Sequence, residues 1–129
     1  MPWGDEALSS TQAIRRLFAE GAVHHGRLVL LIRRQVDEGP RRVLFVASRK
    51  TGHAVRRNRA KRLMRAAYQR VAPCLAERPV HLAWVARSAC AAMKMEDVRR
   101  DMEGLLTRAG LWSPAQPAPA GERSPAEGA

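Results

Sequence analysis

The sequence predicts an α+β domain, and three observations carry that prediction. Three segments repeat apolar residues at helical spacing. Three short apolar runs, bounded by charge or turn residues, have strand character. The length of 129 residues fits one domain and leaves little room for a second. Hydrophobic residues make up 46% of the chain, enough for a core, and charged residues make up 27%, near the globular average. No apolar run approaches the roughly eighteen residues that span a membrane. The start, Met1-Pro2-Trp3-Gly4-Asp5-Glu6, lacks the basic and apolar stretches of a secretory signal. Cys74 and Cys90 do not make a disulfide framework. Together these features predict a cytoplasmic protein that does not enter membranes.

The elements follow in order. Residues 1–10 are expected to form a flexible N-terminus, and residues 11–112 the folded domain. Ser9 and Gln12 have capping-box spacing, so residues 13–20 read as a short helix, closed by Gly21. Ile14, Leu17 and Phe18 share one face of it. Residues 22–26, with His24 and His25, read as a turn. Residues 27–34 read as a strand, Asp37-Glu38-Gly39-Pro40 as a turn, and residues 42–48 as a second strand that pairs with the first in a hairpin. Residues 51–55 form a loop around Gly52. Residues 56–71 form a helix whose buried stripe is Ala60, Leu63, Met64, Ala67 and Val71, so truncating Leu63 should cost about 2–5 kcal/mol. Pro73 stops it. Residues 79–87 read as a further strand. Residues 95–109 form a last helix, buried through Val98, Met102, Leu105, Leu106 and Ala109. Residues 113–129 hold Pro114, Pro117, Pro119 and Pro125 and no large apolar side chain, which predicts a disordered tail.

The net charge of +11 is concentrated. Residues 41–70 hold 11 of the 23 basic residues and no acidic one, so the other 12 basic residues balance all 12 acidic ones. A local excess of this kind creates a potential that attracts a polyanion. On the helix over 56–71, Asn58, Arg62, Arg65 and Gln69 fall opposite the apolar stripe, with Arg59 and Lys61 flanking. Guanidinium groups then recur at about one-turn intervals, and each can donate two hydrogen bonds to a phosphate. Asn58 reads equally as a contact to a sugar or base edge and as a group satisfying local backbone. Phe18, on spacing alone, reads first as core.

Other chemistries find little support. The chain lacks the multiple aromatics of an RNP-type RNA-binding sheet. Its cysteines and histidines have no zinc spacing, and no phosphate-binding glycine loop is present. Asp97, Asp101 and Glu103 fit solvated surface or pairing with Arg99 and Arg100. With no carboxylate in the basic segment, a self-sufficient metal-dependent nuclease is disfavoured. The residues alone describe a nucleic-acid-binding protein with no catalytic or metal-ligating residues of its own.

The stretch from Ser48 to Tyr68, centred on Arg57-Asn58-Arg59, Lys61-Arg62-Leu63 and Arg65, resembles the signature of the bacterial ribonuclease P protein component. The resemblance runs from about Ala13 to Gly110. It implies an α-β-β-β-α-β-α sandwich with a left-handed βαβ crossover, like the second domain of ribosomal protein S5. It further implies a subunit that binds a catalytic RNA and helps it remove the 5′ leader of precursor tRNA, binding the leader and broadening substrate use, with no DNA partner. Mg²⁺ in the holoenzyme would be held mainly by the RNA. Carried over by motif, Arg49, Lys50, Arg57, Asn58, Arg59, Lys61, Arg62 and Arg65 contact RNA. Ile14, Phe18 and Ser48 line a cleft for the leader, which moves Phe18 from core to surface. The chain departs from the family in having Ile14 where a second aromatic is frequent, Leu44 where Gly is frequent, His53 for Asn, and Asp5 and Glu6 where basic residues usually precede the first helix. A structural RNA-binding protein of similar fold is the alternative, which the motif disfavours.

Overall fold

The computed structural model describes residues 5–113. In chain order the elements are β1 (Glu6–Ala7), α1 (Thr11–Glu20), β2 (Ala22–His25), β3 (Val29–Gln35), β4 (Arg42–Val46), α2 (Ala54–Val71), β5 (Val80–Ala86) and α3 (Met95–Arg108). Short 3-10 turns occur at Arg49–Thr51, Ala72–Cys74 and Cys90–Ala92. The strands form one mixed sheet in the order β1-β4-β5-β3-β2. The α+β expectation holds, and from α1 onward the element order is the expected α-β-β-β-α-β-α.

The sheet is organised around β5. Val80, Leu82, Ala83, Trp84 and Ala86 are buried, so side chains of both parities leave water. Such a strand belongs at the centre of a sheet covered on both faces. It runs parallel to β4 and antiparallel to β3. The hairpin expected between the two strands over 27–34 and 42–48 therefore does not form, because β5 lies between them. β3 forms its hairpin with β2 instead, from Ala22 opposite Arg33 to His25 opposite Leu30. Residues 22–25, expected as a turn, supply that strand.

The tight turn after β2 depends on Gly26 and Asp101. A Cβ on Gly26 would fall 2.5 Å from the Asp101 Oδ2 atom, so only glycine fits. Asp101 accepts hydrogen bonds from the backbone N–H groups of Arg27 (3.2 Å), Leu28 (2.8 Å) and Val29 (3.0 Å). It is an anchor between α3 and the sheet, not the surface residue that was expected. Arg99, its neighbour on α3, takes the ion pairs, with Glu96 and Glu103.

α2 and α3 cover one face of the sheet, and α1 covers part of the other. On the first face Met64, Tyr68, Met102 and Leu105 pack against Leu31, Leu82 and Trp84. On the second, Leu17 packs with Leu8, Ile32 and Ala83. The buried stripe of α2 is Ala60, Met64, Ala67, Tyr68 and Val71, whereas Leu63 is only partly buried. Tyr68 belongs to the stripe although the sequence pattern omits it, with its ring in the core and its hydroxyl bonded to Asp5. Met64→Ala should therefore cost about 2–5 kcal/mol in urea melts and Leu63→Ala only about 1 kcal/mol. Equal losses would contradict this packing.

Residues 5–10 are built into the fold, against the expected flexible N-terminus. Asp5 is 2% exposed and accepts hydrogen bonds from Arg41 Nε (2.8 Å) and from the Tyr68 hydroxyl. Burial pushes its carboxyl above the usual range, and the bonds from Tyr68 and Arg41 partly offset this. Arg41 also donates to the carbonyls of Ala72 and Ala76, so a charged pair ties the chain start to the end of α2. β1 then pairs in parallel with β4, and Leu8 is buried. Ser10, not Ser9, caps α1: its Oγ accepts from the Ala13 N–H at 3.2 Å. At the other end, Leu111 is buried and Ser113 N donates to the Cys74 carbonyl at 2.8 Å. The expected tail otherwise lies outside the described residues, as do residues 1–4.

Candidate nucleic-acid interface

α2 carries Arg56, Arg57, Arg59, Lys61, Arg62, Arg65 and Arg70 and no acidic residue. Its apolar stripe fixes it on the sheet, so the remaining surface has one orientation. The approach to it is shaped by the turn Arg49–Thr51. Ser48 caps that turn, its Oγ accepting from Lys50 N at 3.3 Å. Gly52 follows with φ +134°, and the Arg56 side chain lies where a Cβ would sit, its Cδ at 2.5 Å. Glycine is required here on both counts. The helix starts at Ala54, two residues before the sequence suggested, with His53 at the cap position making no side-chain cap bond. The free N–H groups of the first turn add to the positive end of the helix dipole.

Three of the arginines are oriented by backbone carbonyls. Arg56 donates from Nε to Thr51 O (2.8 Å) and from Nη2 to Ser88 O (3.1 Å). Arg57 Nη1 donates to Gly52 O (3.2 Å), and Arg59 Nε to Ala91 O (2.7 Å). These bonds leave the cationic charge uncompensated. Among the described residues, no carboxylate lies within ion-pair distance of any basic side chain on α2. Arg62 is exposed, and Arg65 is exposed with its guanidinium 5.8 Å from the Phe45 ring centroid, within cation–π range. Lys61 is half-buried. Asn58 is exposed and sits in the second turn, and its side chain makes no hydrogen bond among the described residues, so it does not serve the helix end. Arg49 and Lys50 are exposed beside the helix start. The structure thus brings Arg49, Lys50, Arg57, Asn58, Arg59, Lys61, Arg62 and Arg65 onto one helix and the turn before it.

The second group lies on the other face of the sheet. Phe18 is 44% exposed at the last turn of α1, which overturns the reading of it as core. Ile14, one turn earlier, is half-buried against Leu17, Ile32 and Ala83, with Leu44 and Val85 alongside. Val23 on β2 pairs with Ile32 and is 46% exposed, so it adds an apolar rim that the sequence reading missed because it placed 22–26 in a turn. Ser48 follows β4 with its hydroxyl engaged in capping, and it has no hydrogen bond to α1. Farther along this face, His81 stands between Arg34 and Arg42 in register, and burial together with those two charges lowers its pKa. Phe18→Ala should cost no more than about 2 kcal/mol, because nearly half of the residue is already exposed. A larger loss in thermal melts would mean the ring serves the fold.

Cys90 is buried, and its thiol is pushed up to about 11 by burial and by the Asp101 charge, which makes it a poor nucleophile. Among the described residues, no three His, Cys, Asp or Glu side chains are gathered to hold a metal ion, and no helix is long and apolar enough to cross a membrane.

The family model for Ribonuclease P matches residues 4–110. A ribonuclease P protein component from Symbiobacterium thermophilum is 36% identical over 105 residues, covering 81% of this chain and 90% of the relative. One from Exiguobacterium is 30% identical over 105 residues, with the same coverage of each chain. In fold, a Staphylococcus aureus RNase P protein mutant aligns with TM-score 0.72 at 20% identity, covering 82% of this chain and 89% of its own. The Thermotoga maritima RNase P protein aligns with TM-score 0.68 at 23% identity, covering 80% of this chain and 96% of its own.

Proposed function

The chain belongs to the ribonuclease P protein family, with the role in tRNA processing that this membership carries, and we propose that it is the RNA-binding subunit of a holoenzyme whose catalyst is its RNA partner. The observation that supports this most directly is α2, with cations on its exposed surface and no carboxylate paired to them. A catalytic RNA and a precursor tRNA repel each other through their phosphates. Arg57, Arg59, Lys61, Arg62 and Arg65, with Arg49 and Lys50 beside them, lower that repulsion by neutralising phosphates of the catalytic RNA. Asn58, its side chain free of local bonds, adds a polar contact to sugar or base.

The α1 face receives the single-stranded 5′ leader. Phe18 offers a stacking surface, while Ile14 gives only aliphatic contact, so a single ring bears the stacking. Ser48 marks the end of this cleft nearest α2. Holding the leader independently of the tRNA body broadens the range of precursors that can be used. Mg²⁺, which the family reaction implies, does not fit this chain's own residues: the interface is built of cations, and among the described residues no set of acidic or imidazole ligands is gathered there. The ion belongs on the RNA, and no protein side chain takes part in bond cleavage. The site of action is the cytoplasm.

Reconstitution tests this reading. Adding the protein to ribonuclease P RNA should raise leader cleavage of precursor tRNA at low Mg²⁺. Absence of stimulation, or cleavage by protein freed of all RNA, would sink it. With about four to six phosphate contacts, log affinity should fall with log salt at a slope of roughly −3 to −5.

A further inference from the structure

Outside residues 41–70 basic and acidic residues are equal in number, yet in space the carboxylates do not neutralise the cations evenly. Glu6 pairs with Arg42, Glu20 with Arg16 and Arg34, and Glu96 and Glu103 both pair with Arg99. Asp97 accepts from Lys94 N, and Asp101 accepts the three N–H groups of residues 27–29. Arg15, Arg27, Arg78, Arg87, Lys94, Arg100 and Arg108 are exposed with no carboxylate within ion-pair distance among the described residues, and three of them, Arg27, Arg87 and Arg100, are neighbours in space.

These three arginines lie at one end of the molecule. Arg27 is in the β2–β3 turn, its N–H bonded to Asp101, the residue after Arg100 on α3. Arg87 follows β5, and its N–H donates to Leu28 O at 2.9 Å. The loop after Arg87 is the one gripped by α2, through Arg56 to Ser88 O and Arg59 to Ala91 O. The loop 87–91, uncharged after Arg87, therefore joins the arginines in the first half of α2 to Arg87, Arg27 and Arg100. α3 shares its sheet face with α2 and lies opposite α1.

We propose that the backbone of the catalytic RNA, after crossing α2, continues over this end of the sheet onto Arg87, Arg27 and Arg100. The partner is the catalytic RNA and not the leader, because the strip prolongs the α2 surface and stands on the face away from Phe18. Asp97 and Asp101 line the cleft between Arg27 and Arg100. They disfavour an anion inside it and keep the phosphate path on the exposed guanidinium groups.

This inference rests on the function proposed above, and its test separates the two. Binding of the full chain to ribonuclease P RNA, and separately to precursor tRNA, is measured by fluorescence anisotropy across monovalent salt. The Arg27→Ala, Arg100→Ala pair should weaken binding to ribonuclease P RNA on the order of tenfold at physiological salt and make the log–log slope less steep by about 2. Binding to precursor tRNA should not change. Arg78→Ala, at the opposite end of β5, should change neither. Should the alanine pair lose its cooperative melt, the Arg27→Gln, Arg100→Gln pair carries the same measurement. Wild-type affinity and slope in the double variant, or a loss confined to precursor tRNA, would overturn the inference. Failure of the wild-type protein to bind ribonuclease P RNA would instead overturn the underlying function.

Discussion

Asp101→Ala is expected to lower the unfolding free energy by about 3–5 kcal/mol. The carboxylate accepts from three consecutive backbone N–H groups at 2.8–3.2 Å. Leu28 and Val29 are buried and these two hydrogen bonds are partly so, which leaves two of the donors with no protein acceptor. Each buried orphan costs about 1–3 kcal/mol, and the lost charge-assisted bonds add to it. Asp101→Asn retains one acceptor oxygen and should lose about half as much. Urea melts of both variants check this, and a loss below about 1 kcal/mol for alanine would mean that water readily replaces the carboxylate.

The second large effect is on binding. Arg62→Ala with Arg65→Ala should reduce affinity for ribonuclease P RNA on the order of tenfold to thirtyfold at physiological salt, with a salt slope less steep by about 2. Stability should change little, since both side chains are exposed and opposite the buried stripe. The one expected cost is the contact of Arg65 with Phe45, about 0.5–1 kcal/mol. Unchanged affinity in a folded double variant would remove α2 from the RNA contact surface. A collapsed melt would mean that the helix is oriented otherwise.

What the sequence disclosed, and what it hid, follows from the range of the forces involved. The orientation of α2 is local, since a period of about 3.6 residues sorts Ala60, Met64 and Ala67 from Arg62 and Arg65 before any partner is known. Strand pairing is not local. Two apolar runs separated by Asp37-Glu38-Gly39-Pro40 look like a hairpin, and only the two-sided burial of Val80–Ala86 shows that β5 separates them. Asp101 and Asp5 escaped for a similar reason. Their partners are 72 to 74 and 36 to 63 residues away, and a carboxylate that binds distant backbone or a buried guanidinium reads like any surface acid. Phe18 was misjudged on spacing alone because helical periodicity places it beside Leu17 but cannot show that the sheet reaches only one of them. The motif, not the periodicity, moved it to the surface.

The central place of β5 also bears on how the chain is made. During synthesis β3 and β4 emerge first, and neither has its shared neighbour until residue 86 leaves the ribosome. In that interval α2 has no completed sheet beneath its apolar stripe, and the strand edges of an unfinished sheet invite association between nascent chains. The positive charge of α2 acts throughout this window, because like-charged helices on neighbouring chains repel.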